Sequence, residues 1–210
     1  MYTVKELFYT LQGEGRHTGR ASVFCRFSGC NLWSGKERHR AQAICQFCDT
    51  DFIGSGPDGG KFARAEQLAD RIAAAWPAQS TGGIRYVVCT GGEPLLQLDA
   101  PLIEALHARG FEVGVETNGT LAAPPGVDWI CVSPKAGATL VQTSGHEIKL
   151  VYPQPGLAPQ DVSELDFEHW YLQPMDSASR GANLQAAIDY CLEHPRWQLS
   201  LQTHKITRIR

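Results

Sequence analysis

Arg85-Tyr-Val-Val-Cys89 is followed by Thr90-Gly-Gly-Glu-Pro94, an apolar stripe at Leu102, Ile103 and Leu106, and then Phe111-Glu-Val-Gly-Val-Glu116. The first and last runs are rich in β-branched residues, whereas the stripe between them has helical spacing. A strand, a helix and a second strand in that order form the parallel βα unit, and the same alternation continues on both sides. Further strands are expected at Lys5 to Thr10, Ser22 to Phe27, Trp129 to Val132, Glu147 to Val151, Trp170 to Gln173 and Trp197 to Gln202. Helices are expected where Leu68, Ile72 and Trp76 recur at four-residue spacing, and from Asn183 to Leu192. The pattern indicates an α/β fold built as an open sheet or a partial barrel.

Glycine and proline crowd the segment Gly54 to Gly60, which reads as an irregular loop, and Pro153 to Pro159 forms a second proline-rich stretch. No internal repeat divides the 210 residues, so a single domain is expected, of a size that buries roughly 70% of its unfolded surface. Hydrophobic residues at 43% and charged residues at 20% exclude a disordered chain. With 19 basic and 22 acidic residues the formal charge is -3, which does not indicate a nucleic-acid surface. No apolar run is long enough to span a bilayer and no secretory leader is recognised, so neither membrane nor nucleic acid is an expected partner and the cytoplasm is the expected compartment.

Seven cysteines are an odd number in a chain that does not need disulfide stapling. Cys30, Cys45 and Cys48 are spaced C-x14-C-x2-C. Three chemistries fit. A structural zinc would need a fourth ligand, for which His17 or His39 is available. A redox pair would use Cys45 and Cys48 alone. An iron–sulfur cluster held by three thiolates would leave one iron open to a further ligand. Cys25, Cys89, Cys131 and Cys191 lie in apolar or helical contexts and read as small buried hydrophobes. In the strand Ser22 to Phe27, alternation separates Val23, Cys25 and Phe27 from Phe24 and Arg26, placing an arginine mid-strand where its planar fork can grip a carboxylate.

Several short motifs surround the cysteines: Leu11-Gln-Gly-Glu-Gly15, Gly19 to Trp33 with Cys25-Arg-Phe-Ser-Gly-Cys30, Cys45-Gln-Phe-Cys-Asp-Thr50, Thr90-Gly-Gly-Glu-Pro94, Glu116-Thr-Asn-Gly119, Ser133-Pro-Lys135, Gln173-Pro174 and Gln202-Thr-His-Lys205. Together they resemble the 7-carboxy-7-deazaguanine synthase family of radical S-adenosylmethionine (SAM) enzymes, over the chain from Leu11 to Lys205. The resemblance implies a shortened, partial (βα) barrel forming one radical SAM domain over residues 1–210. Its cysteine spacing departs from the C-x3-C-x2-C of most radical SAM enzymes, so residues 31–44, with Lys36, Glu37, Arg38, His39 and Arg40, read as a solvated insertion.

The resemblance also implies roles. Cys30, Cys45 and Cys48 would hold a 4Fe-4S cluster whose open iron is chelated by SAM. Phe47, Cys48, Asp49, Gly91, Gly92, Glu93, Ser133, Pro134, Lys135, Gln173, Pro174, Met175 and Asp176 would bind SAM. Leu11, Gln12, Gly13, Glu14, Arg26, Thr90, His204 and Arg210 would bind the substrate, 6-carboxy-5,6,7,8-tetrahydropterin, and Thr50 would hold Mg2+. His204 is placed by extending the strand alternation through Ser200 and Gln202, and Arg210 by the reach of the last six residues across the barrel mouth. The implied activity is that of a lyase forming 7-carboxy-7-deazaguanine by ring contraction and loss of ammonia, with SAM regenerated. A flavodoxin- or ferredoxin-type reductant and a homodimer are family expectations. A glycyl-radical-activating enzyme and a zinc-binding adaptor are the alternatives.

Overall fold

The computed structural model describes Met1–Arg210. Nine strands form one sheet: β1 (Tyr2–Leu11), β2 (Ala21–Phe27), β3 (Gly60–Phe62), β4 (Arg85–Gly91), β5 (Phe111–Thr117), β6 (Trp129–Val132), β7 (Ser144–Tyr152), β8 (Asp166–Pro174) and β9 (Trp197–Leu199). Their spatial order is β3-β1-β2-β4-β5-β6-β7-β8-β9. From β2 to β9 every neighbouring pair is parallel, whereas β1 pairs antiparallel with both β2 and β3. The sheet is curved but not closed, which makes it a partial barrel.

Two expectations change. The strand at Gly60–Phe62 was hidden by the glycine-rich loop before it, and it exists by pairing with Tyr2, Thr3 and Val4. The first connection is an antiparallel hairpin and not a βα unit. No helix of the structure is long and apolar enough to cross a membrane.

Helices α1 (Ala65–Ala75), α2 (Ala100–His107) and α3 (Arg180–Glu193) cover the outer face, and a short α4 (Thr203–Thr207) follows β9. Asp99 starts α2 by accepting the Leu102 N–H at 3.1 Å, and it also accepts the Tyr2 hydroxyl at 2.6 Å. Strand alternation sends Val23, Cys25, Val87, Cys89, Val113 and Val115 outward onto Leu68, Ile72, Leu102 and Leu106 of α1 and α2. Farther along the sheet, Val132, Ile148, Leu150, Trp170 and Leu172 pack with Ala187 of α3. Cys25, Cys89 and Cys131 are buried as expected, and Cys191 is partly buried.

The opposite residues of the same strands face the barrel interior. Near the strand starts that interior is filled: Trp129 stacks on His146 at 4.9 Å and on His169 at 5.8 Å, and His17 lies 4.1 Å from the Trp129 ring. Arg20 covers Tyr86 at 4.0 Å. The barrel is therefore plugged at one end and open at the end where strands terminate.

Candidate active site

At the open end lies a cavity of about 520 Å³, walled by the ends of β1, β2, β4, β5, β7 and β8 and by the cysteine loop. Gly91 ends β4 there and Gly92 follows it. A Cβ on Gly92 would strike the main-chain oxygen of Gly29 and the Cβ of Cys30, and one on Gly91, whose φ is 152°, would strike Phe27. Only glycine lets the β4 end approach the chain leading into Cys30 so closely.

Cys30, Cys45 and Cys48 all line this cavity. The neighbouring Cys45 thiol lowers the Cys48 thiol, against the effect of burial, while Cys48 and burial together raise Cys45. Burial raises Cys30. Neither histidine completes a zinc site: His39 is tied to Ser34 Oγ at 2.8 Å and His17 is stacked in the barrel floor. No three His, Cys, Asp or Glu side chains gather tightly enough for a single ion. Three thiols around an open space suit a cluster with one iron left free.

Deeper in the cavity a buried cation joins two acids. Lys149 on β7, 4% exposed, contacts Glu14 Oε2 at 2.8 Å and Glu116 Oε2 at 2.8 Å. Gln12 Nε2 donates to Glu116 Oε1 at 3.2 Å, and Gln202 Nε2 donates to Glu14 Oε1 at 3.1 Å. Burial alone would raise Glu14, but the Lys149 ammonium outweighs it and holds this carboxyl at about 2. Arg26 projects from β2 into the same space, with Nε on Glu6 Oε1 at 2.8 Å.

Comparison with known proteins decides the family. The Radical SAM superfamily model matches residues 39–147. A 7-carboxy-7-deazaguanine synthase of Caulobacter vibrioides is 64% identical over 207 residues, 97% of this chain and 97% of the relative. One from Bradyrhizobium diazoefficiens is 64% identical over 210 residues, 100% of this chain and 99% of the relative. The chain belongs to the 7-carboxy-7-deazaguanine synthase family. The crystal structure of QueE from Escherichia coli is similar with a TM-score of 0.72, at 26% identity and covering 95% of this chain and 93% of that one. As a radical SAM enzyme, this synthase-family chain uses a 4Fe-4S cluster and SAM.

Of the residues that family resemblance assigns to SAM, the cavity is lined by Phe47, Cys48, Asp49, Gly91, Gly92, Ser133, Lys135, Gln173, Pro174, Met175 and Asp176. Glu93 and Pro134 stand behind the wall. Glu93 is fully buried and accepts from Thr117 Oγ1 at 2.7 Å, Asn118 N at 2.8 Å and Leu95 N at 3.0 Å, so its carboxylate ties the ends of β4 and β5 together. Pro134 is held through its carbonyl by Gln154 Nε2 at 3.3 Å. Gln154 also accepts the Ala136 N–H at 2.9 Å and so shapes the Ser133–Lys135 turn from behind. The Lys135 ammonium donates to Ser133 Oγ at 2.7 Å, and burial lowers its pKa.

The residues assigned to substrate, Leu11, Gln12, Gly13, Glu14, Arg26, Thr90, His204 and Arg210, all reach the cavity, as does Thr50. The route by which His204 gets there differs from expectation. β9 stops at Leu199, and His204 sits in α4, so strand alternation does not orient it. The chain leaves the strand because Ser200 turns to Gln173 Oε1 at 3.0 Å and Gly15 N donates back to Ser200 Oγ at 3.0 Å. Thr203 N then donates to Gly13 O at 2.9 Å, which brings His204 against Gly13.

These contacts bridge the open side of the barrel. Arg210 continues the strap: Thr10 Oγ1 donates to its main-chain oxygen at 2.8 Å, and its guanidinium binds Asp58 at 2.5 Å. Lys205 joins Asp49 at 2.7 Å to Asp176 at 2.6 Å across the mouth. Lys149, Glu116 and Lys205 received no role from sequence. The available signal for Lys149 was its place among apolar residues in Glu147-Ile-Lys-Leu-Val151, where a charged side chain on a parallel strand needs a buried partner.

Proposed function

We propose that this chain converts 6-carboxy-5,6,7,8-tetrahydropterin to 7-carboxy-7-deazaguanine, with ring contraction and loss of ammonia, in the 7-deazapurine (queuosine) pathway. The observation that carries this reading is the placement of Arg26, Gln12 and Glu14 in one cavity with the three cysteines. When bound, the cluster and SAM supply the radical that removes a hydrogen from the substrate. Everything else falls to this chain's own side chains.

Cys30, Cys45 and Cys48 hold the cluster, and the backbone edge at Gly91 and Gly92 offers polar groups to SAM without side-chain obstruction. Ser133, Lys135 and Gln173 to Asp176 close around SAM from the ends of β6 and β8. Arg26 takes the substrate carboxylate: Glu6 occupies its Nε, which leaves the other guanidinium nitrogens for the substrate. Glu14, held ionised by Lys149, accepts from the pterin's amino and ring N–H groups, and Gln12, Thr90 and His204 complete that edge. Thr50 would supply one hard oxygen to a Mg2+ at the cavity wall. The chain forms one domain with residues 31–44 inserted and works in the cytoplasm as a homodimer reduced by a flavodoxin- or ferredoxin-type protein.

The test is anaerobic reconstitution with iron and sulfide, then assay with SAM, reductant and the carboxylated tetrahydropterin, with and without Mg2+. Formation of 7-carboxy-7-deazaguanine, faster with Mg2+, supports the reading. Stoichiometric zinc with no reducible iron signal, or a reduced cluster that leaves the pterin untouched, overturns it.

A further inference from the structure

The insertion between the first two cysteines is solvated over most of its length, with Lys36, Glu37 and Arg38 exposed, but it is anchored where it begins. Leu32 and Trp33, next after Cys30, are buried, and Trp33 meets Phe52 edge-on at 5.6 Å. Residues Glu37–Gln42 form a 3-10 turn. From that turn Arg40 folds its guanidinium over the Trp33 ring at 4.1 Å. Its Nη1 donates to the main-chain oxygens of Gln46 at 2.9 Å and Cys48 at 3.0 Å. Its Nε is held by both carboxylate oxygens of Glu37 at 2.8 Å. One planar cation thus touches the arm that follows Cys30 and the turn that carries Cys45 and Cys48.

We propose that Arg40 is a positioning residue for the iron–sulfur cluster, clamping the Cys45–Cys48 turn against the Cys30 arm and lending that turn positive charge. The proposal rests on the reading of Cys30, Cys45 and Cys48 as the cluster ligands. A fourteen-residue separation makes the relative position of the first and second ligands a loop-closure problem, and the clamp removes that freedom before iron arrives. Charge-assisted bonds to two carbonyls, with stacking on an indole, need the flat fork of arginine. Glu37, 77% exposed, takes the Nε edge of the guanidinium, whereas Nη1 faces the Cys45–Cys48 turn. A reduced cluster carries one more negative charge than an oxidised one, so a cation bonded to the turn that carries its ligands favours reduction.

The experiment compares the native chain with Arg40→Met and Arg40→Lys after anaerobic reconstitution. Three quantities are read: iron and sulfide per chain, the rate of cluster loss to a chelator, and the midpoint potential by redox titration under electron paramagnetic resonance. Arg40→Met is expected to lose its cluster at least fivefold faster, and to show an about tenfold lower ratio of reduced to oxidised cluster at the native midpoint, which is ~59 mV for a one-electron couple. Arg40→Lys keeps the charge without the fork, so its potential returns towards native while cluster loss stays fast. Native loss rates and potential in Arg40→Met overturn the proposal, and so does an Arg40→Lys potential as low as that of Arg40→Met. If Arg40→Met does not fold as apoprotein, the loss rate of Arg40→Lys decides. A native chain that takes up no cluster removes the cysteine assignment itself, a result distinct from either of these.

Discussion

Replacing Lys149 by methionine removes the one cation between Glu14 and Glu116 while filling most of its volume. Glu14 is held at about 2 in place of its ordinary 4.5, and at 1.36 kcal/mol per unit that difference is worth about 3 kcal/mol. Breaking a buried pair by deleting one partner gives a similar cost, roughly 3–5 kcal/mol, because the remaining charges stay buried. For a chain of 210 residues this corresponds to a fall in Tm of roughly 6–20 °C. The pH dependence then separates electrostatics from packing. In the native chain the Glu14 contribution is present above its unfolded value of 4.5 and is lost as pH falls towards 2. In the variant two carboxylates share a dry site with no cation, so their combined affinity for a proton rises above the ordinary carboxylate value. The destabilisation is then greatest at alkaline pH and is relieved as acid supplies that proton. Urea unfolding of the metal-free native and Lys149→Met chains at about pH 8 and about pH 5 measures both effects. A loss under about 1 kcal/mol at the higher pH, or a gap that does not narrow at the lower one, would refute the reasoning.

Arg26→Lys keeps the charge but loses the fork, and should raise the substrate Michaelis constant roughly tenfold, as expected for one lost charge-assisted hydrogen bond. SAM affinity should be unchanged, and an unchanged Michaelis constant would remove Arg26 from the substrate site. Deleting Arg210 removes the contacts with Thr10 and Asp58 and should raise the same constant with iron content intact. Kinetics equal to native would place the strap outside the site.

Cysteines at a restrictive spacing are legible because few structures gather thiols, and Arg26 is legible because a strand's two-residue period divides its faces without help from the rest of the fold. Lys149 was harder. Its partners lie at Glu14 and Glu116, far away in sequence and joined only by strand order, so a string of letters shows the buried cation but not its acids. β3 has no signature in the sequence, because three residues after a glycine-rich loop carry no period of their own. The turn after β9 depends on the Gly15 N–H donating to Ser200 and on the Thr203 N–H donating to Gly13, partners nearly two hundred positions earlier that no local pattern encodes. Arg40 reads as one charge in a polar run until Trp33 and the carbonyls of Gln46 and Cys48 are seen beneath it.

The outer face of the sheet carries two separate apolar cores, and each is drawn from one stretch of sequence. The first is built from residues between Tyr2 and Val115, the second from residues between Val132 and Trp197. During synthesis the first stretch leaves the ribosome whole while the second is still being made, and it can bury its own apolar surface without waiting. Cys30, Cys45 and Cys48 belong to that earlier stretch, as do the clamp at Arg40 and the glycine edge at Gly91 and Gly92. Lys149, the Ser133–Lys135 turn and the strap through His204 come later. The order of manufacture thus completes the stretch that carries the three cysteines before the residues that wall the opposite side of the cavity.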